Sequence, residues 1–349
     1  MPWLRDWGRD TFIALPGLLL SAERYHLAGQ VLSLFASHVN DGMVPSKFAI
    51  NPAEPIYDAV DPSLWFIHAA HEYLRASKDQ ETFDAILKDA CHEIVDGFTR
   101  GTRLGIHVDP EDDLLSAGSQ DSALTWMDAR AEDGTPHTSR DGKAVEINAL
   151  WYHALCLVGD DRSERVAKHF NDAFVLPGRG LADVVRGGPG RYERDETIRP
   201  NQIFAVSLRH SPLERATQHV VTDVVRRSLL TPYGLRTLDR HDERYKPTVI
   251  GNPLERSRAA HDGAVWPWLI GPFLDAHLRI HDGSAASRER ARTWLRPLID
   301  HLDTGLVETG LIGYLPEVFD GQYPYLPGGC FGQAWSVAEV FRLAIELDL

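Results

Sequence analysis

The sequence predicts an all-α chain, an (α/α)6 barrel with short β inserts in its loops. Three observations lead there. Helical periodicity runs through most of the 349 residues, and helices apolar nearly all round alternate with amphipathic ones. No internal repeat of roughly 34 or 40 residues marks a stacked α-solenoid, the main competing architecture. Buried and half-buried helices in alternation are what an inner ring wrapped by an outer ring requires.

Taken in order, helices are expected over 11–22, 24–38, 63–77, 80–99, 146–158, 162–174, 201–208, 212–228, 263–280, 286–303 and 331–347. Asp61-Pro62 and Ser211-Pro212 supply a polar cap followed by a first-turn proline. FGQAWSVAEVFRLAIEL (331–347) and GAVWPWLIGPFLDAHL (263–278) belong to the buried kind. ASRERARTWLRPLIDHLD (286–303) and 80–99 have one charged face for water. β-rich inserts are expected at 104–108, 180–186 and 229–238. No linker rich in proline, serine or charge divides the chain, so residues 1–349 read as one domain.

Composition narrows the chemistry. Thirty-six basic against fifty acidic side chains give a net charge of −14, which opposes a nucleic-acid partner and an anionic membrane surface and permits a neutral carbohydrate. The longest apolar run, 12–20, is broken by Pro16 and too short to span a bilayer. Cys91, Cys156 and Cys330 form no CxxC, and no signal peptide or N-x-[ST] sequon is present, so a cytoplasmic chain is expected. No cofactor or metal is expected. Walker A, HExxH and GxSxG motifs are absent, His68 and His71 sit on one helix side, and the acidic run 109–113 has Leu114 where a calcium loop needs glycine.

The loops carry the informative residues. They mix Trp7, Arg9, Asp10, Asp121, Trp126, Asp128, Arg130, Arg199, Asn201, Gln202, His261, Trp266, Trp268 and Glu317. Aromatic faces for pyranose rings, with carboxylates, guanidinium groups and amides for their hydroxyls, suit a sugar site. Hydrolysis there needs two carboxyl groups in different protonation states. Asp128, next to Trp126 and Met127, is expected to be desolvated and so to suit a general acid. Glu317, set by Pro316, suits a base. Spacing alone does not select this pair among fifty acidic residues.

Eight ordered segments carry a resemblance: WGRDTFIALPGLLL (7–20), TWMDAR (125–130), VEINALWYHAL (145–155), RPNQIFAVSL (199–208), LLTPYGLRTLDRHDERY (229–245), VWPWLIGPF (265–273), GYLPEVFDG (313–321) and QAWSVAEV (333–340). Over nearly its whole length the chain resembles the C-terminal amylo-α-1,6-glucosidase domain of glycogen debranching enzymes. The resemblance implies inverting removal of an α-1,6-linked glucose from glycogen or branched α-glucan. It assigns Asp128 as general acid and Glu317 as general base, with Arg9 and Asp10 gripping the released glucose. It also implies that Trp126, Glu146, Asn201, Gln202, Trp266, Trp268, Gln333 and Trp335 line the site, and Trp7 and His261 of the aromatic and polar loops are expected there with them. Other exo-glycosidases of glucoamylase, trehalase or oligosaccharide glucosidase type share the barrel and remain the alternative, as does a silent glycan-binding domain. The family usually carries sequence ahead of WGRD, here preceded by six residues. A barrel lacking its first helix, filled by an N-terminal domain or by self-association, is therefore expected, with apolar flanks uncovered on 11–22 and 331–347.

Overall fold

The computed structural model describes residues 7–48, 54–304 and 313–349. Residues 1–6 lie outside them. Helices dominate: α1 (Gly8–Leu15, continued by a π-helical Pro16–Leu20), α2 (Tyr25–Ala36), α3 (Asp61–Ser77), α4 (Gln80–Thr82) and α5 (Lys88–Arg100). There follow α6 (Val145–Val158), α7 (Arg162–Phe174), α8 (Phe204–Ser207, entered through a 3-10 turn Pro200–Ile203) and α9 (Arg215–Ser228). The last four are α10 (Pro253–His261), α11 (Ile270–Ile280), α12 (Ala285–Thr304) and α13 (Ala334–Glu346).

Two kinds of helix sort by packing partner. The strongly apolar ones pack in sequence: α1 on α3, α3 on α6, α6 on α8, α8 on α11 and α11 on α13, while α13 also packs on α1. The amphipathic ones lie outside them, with α2 on α3, α5 on α3 and α6, α7 on α6, α9 on α8 and α11, and α12 on α11 and α13. α6 shows the inner type, since Val145–Leu150, Trp151, Ala154 and Leu155 are all buried. α7 shows the outer type, burying only Val166, Phe170, Ala173 and Phe174, a single stripe at helical spacing. Of the two segments expected to have uncovered apolar flanks, 331–347 exposes Phe341 (41 %) and Ile345 (49 %) on α13, whereas 11–22 exposes no large apolar side chain.

Two expectations need correction. Residues 263–269 are not helical: Val265–Trp266 is a strand and Pro267–Leu269 a 3-10 turn, so α11 starts only at Ile270. Gly263 holds φ +154°, and Pro267 has no N–H for a helix interior. The strand is the centre of a five-stranded antiparallel sheet, ordered Leu230–Thr231, Gly234–Arg236, Val265–Trp266, Val318–Phe319, Pro327–Gly328. Second, α10 falls outside the expected helices. Its Asn252-Pro253-Leu254-Glu255 start is a complete capping box: Asn252 Oδ1 accepts from the N–H groups of Leu254 (2.9 Å) and Glu255 (3.0 Å), and Glu255 Oε2 accepts from Asn252 N–H (2.8 Å).

Candidate active site

The first turns of the inner helices bring the site together. Trp7, Arg9 and Asp10 sit at the start of α1, Trp266 just before α11, and Gln333 and Trp335 at the start of α13. With Trp126, Asp128, His261 and Glu317 they line one cavity of about 420 Å³. A second cavity of about 590 Å³ lies among the last turns of the same helices, between Glu72, Asp275 and Arg342, away from these residues.

The wall is aromatic. Trp126 meets Trp266 (5.3 Å between ring centres, 83°) and Trp268 (5.5 Å, 89°) edge to face. Trp268 stacks on Trp335 at 4.9 Å, and His261 stacks on Trp266 at 5.8 Å. The Trp266 indole N–H donates to the Ala260 carbonyl (2.7 Å), which fixes that ring. Burial, with Arg199 nearby, pushes the His261 imidazole down to about 3, so it is neutral in the wall. Neither His261 Nδ1 nor Trp335 Nε1 has a hydrogen-bond partner among the described residues.

The carboxyl groups differ sharply. Asp10 is pushed up to about 6, mainly by burial, against the pull of Arg9 and with a push from Glu317 and Asp128. Its Oδ1 accepts from Gln333 Nε2 at 3.2 Å. Asp128 corrects an expectation. Trp126 and Met127 are buried, whereas the Asp128 side chain is 44 % exposed, so its two apolar neighbours in sequence do not enclose it. Its direct partner is Arg9, whose Nη1 lies 3.2 Å from Oδ2. Glu317 stands just before the five-stranded sheet's fourth strand, Val318–Phe319. Its Oε2 accepts from Cys330 N–H (2.7 Å), and its own N–H donates to the Cys330 carbonyl (2.7 Å). Gly329 takes φ +68°, and a Cβ there would collide with the Glu317 carboxylate.

Four expected lining residues stand behind the wall. Asn201 Oδ1 accepts from the Trp126 indole N–H (2.8 Å), and Asn201 Nδ2 donates to Asp183 (2.8 Å). Asp183 accepts from Arg140 Nη1 (2.5 Å), and Arg140 Nε donates to Glu146 (2.7 Å). Glu146 thus ends a buried chain that orients Trp126 and does not reach the cavity. Gln202 Oε1 accepts from Leu181 N–H at 3.1 Å and ties down the loop before that chain. Trp268 lies under Trp126 and Trp335. A sequence reading misses Asp61, the partner that grips Arg9 through Nε (2.5 Å) and Nη2 (2.9 Å). Its only local sign is the Asp-Pro pair, which reads as a helix start. The acidic run 109–113 holds Lys143, whose ammonium lies 2.8 Å from Asp109 and 2.6 Å from Asp112.

Among the described residues no helix is long and apolar enough to cross a membrane. Comparison with known proteins adds three likenesses. The glycogen debranching enzyme of Saccharomyces cerevisiae is 25 % identical over 379 residues, covering 80 % of this chain, which spans only 24 % of that protein. An uncharacterized conserved protein from Thermus thermophilus superposes with a TM-score of 0.61 at 14 % identity, over 97 % of this chain and 92 % of its own. A rhamnosidase from Klebsiella oxytoca with rhamnose bound gives 0.53 at 17 % identity, over 99 % of this chain and 58 % of its own. At those identities the two structures speak to the fold alone. The model of the amylo-alpha-1,6-glucosidase family matches residues 1–342, and the chain belongs to that glycosidase family.

Proposed function

We propose that this chain hydrolyses the α-1,6-linked glucose at a branch of glycogen or limit dextrin, with inversion, on an (α/α)6 helical frame. The observation that carries the reading is one cavity that joins Asp128 and Glu317 to an aromatic wall and to Asp10 and Gln333. The sequential packing of the inner helices and the fold likenesses support the frame. Family membership and the debranching-enzyme relative support the substrate.

In this mechanism Asp128 donates a proton to the leaving oxygen while Glu317 takes one from the attacking water. Cys330 N–H holds one Glu317 oxygen and leaves the other for the water. Arg9 fixes the Asp128 carboxyl and keeps its own charge: burial opposes that charge, and Asp61, Asp128 and Asp10 outweigh the burial. Asp10 and Gln333 offer a hydrogen-bonded pair to the hydroxyls of the released glucose.

The test is glucose release from phosphorylase-trimmed, transferase-treated dextrin, with panose and trehalose as competing substrates. Asp128→Asn and Glu317→Gln are each expected to lower turnover by about 10²–10⁴-fold while sugar binding persists. Early NMR of the wild-type reaction is expected to show the β-anomer. Retention of a tenth of wild-type turnover by either variant refutes the pair, and an initial α-anomer refutes inversion.

A further inference from the structure

We propose that a groove between α9, α11 and the first turns of α12 binds a small phosphate-bearing anion, either a phosphate monoester or free phosphate. The groove measures about 660 Å³ and shares no lining residue with the aromatic cavity. Its charged lining is Arg226, Arg227 and Arg290, with three imidazoles, His219, His277 and His281, against one carboxylate, Asp223. Even with the imidazoles neutral, this is a local excess of two positive charges on a chain whose net charge is −14.

The one carboxylate is already shared. Arg226 Nη2 donates to Asp223 Oδ1 at 2.7 Å, and Arg227 pairs with Oδ2 of the same group. Both arginines sit in the last turn of α9, where a helix end favours cations, so these two by themselves are ordinary. Arg290 is not. It comes from α12, makes no ion pair among the described residues, and holds its guanidinium carbon 5.9 Å from the centre of the Trp294 ring. His277 senses the same positive field from within the groove's wall. It is 7 % exposed, and its Nε2 has no hydrogen-bond partner among the described residues. Burial first, and His281 next, push its imidazole down to about 4, and Arg290 and Arg226 push the same way. The His281 ring lies 4.8 Å from that of His277 and 5.7 Å from that of His219.

This chemistry selects the occupant. A phosphoryl group carries close to two negative charges at neutral pH and matches the excess, and its oxygens fit guanidinium forks in pairs. A lone carboxylate would leave one positive charge unmatched. A long polyanion would have to extend past the groove over a chain that is acidic overall. The volume exceeds the needs of one phosphoryl group, and Trp294 offers an apolar face to whatever body the phosphate carries.

Calorimetric titration of the full chain with inorganic phosphate, glycerol 3-phosphate and acetate tests this, at low ionic strength because exposed charges are readily screened. At least one phosphate-bearing probe is expected to bind, about ten-fold or more tighter than acetate. Tighter binding of glycerol 3-phosphate assigns the site to an ester, and equal or tighter binding of inorganic phosphate assigns it to the free ion. An Arg227→Gln, Arg290→Gln double variant removes two exposed side chains, so it is expected to fold and to weaken phosphate binding about ten-fold or more. Asp223→Asn removes the competing carboxylate and is expected to strengthen binding about three-fold, a direction that lost folding cannot produce. The proposal is overturned if neither phosphate-bearing probe binds below about 10 mM or if acetate binds as tightly. It is equally overturned if the double variant keeps the wild-type affinity or Asp223→Asn lowers it.

Discussion

Arg9 directs two of its guanidinium nitrogens at Asp61 and the third at Asp128, so an ion pair below the site sets the carboxylate within it. Both members of the lower pair are buried, at 5 % and 2 % exposure. Replacing Asp61 by Asn leaves a buried guanidinium without its main counter-charge, and breaking such a pair typically costs about 3–5 kcal/mol. Asp61→Asn is expected to lower the urea midpoint accordingly. An Arg9→Gln, Asp61→Asn double variant is expected to recover part of that loss, because no charge remains stranded. Equal midpoints for wild type and Asp61→Asn would show that Arg9 does not depend on Asp61. Asp128 and Glu317 stand out in the sequence because motif and resemblance agree. Asp61 does not, because its role depends on a contact across 52 positions of sequence.

At the scale of elements, α10 has a clear start and a faint body. Asn252-Pro253-Leu254-Glu255 contains a cap, a first-turn proline and a returning glutamate, but the helix behind it has only nine residues and a weak apolar stripe. Its last residue, His261, forms part of the aromatic wall. Asn252→Ala removes the acceptor for two N–H groups and is expected to cost about 1 kcal/mol, read as a lower denaturant midpoint. A loss below a few tenths would mean that tertiary contacts alone hold this helix. The strand at Val265–Trp266 reads as helix for a different reason. Apolar residues run unbroken there, and a buried strand and a buried helix share that pattern. The pairing of Leu235 with Trp266 and of Val265 with Phe319 decides between them, and neither partner is close in sequence.

For the whole molecule, neutral histidines within the fold tie stability to pH, as the half-buried His71 shows. His71 is pushed down to about 4, chiefly by burial and then by His68. Its unfolded value lies near 6.5, so below that pH the unfolded chain takes up a proton that the folded chain refuses. The contribution of His71 is therefore complete above about pH 6.5 and is lost as pH falls toward 4. Asp10 has the opposite sign. Its carboxyl is pushed up to about 6, so its contribution is complete below the unfolded value and fades as pH rises through 6. Bulk melting would mix the two, and a difference experiment separates them. His71→Gln is expected to gain on the wild type as pH drops from 6.5 to 4, by on the order of 2 kcal/mol. A pH-independent difference in melting free energy would show that His71 takes up its proton equally in the folded and unfolded chain.

The sequence by itself determined the helical class and the presence of two kinds of helix, strongly apolar and amphipathic, and it marked the segments expected to carry the site. These are properties of periodicity and local motif, repeated every few residues along the chain. Tertiary structure alone decided which of those residues face the cavity. Glu146, Asn201 and Gln202 stand in motifs as conspicuous as WGRD, yet their side chains are turned inward to satisfy Arg140, Asp183, Trp126 and Leu181. A buried amide or carboxylate must find a partner wherever the fold brings one. That partner is set by the packing of distant helices, which no local spacing encodes. The same holds for the proton affinities. Asp10, which in sequence stands beside a cation, has its carboxyl raised to about 6, because burial outweighs its neighbour.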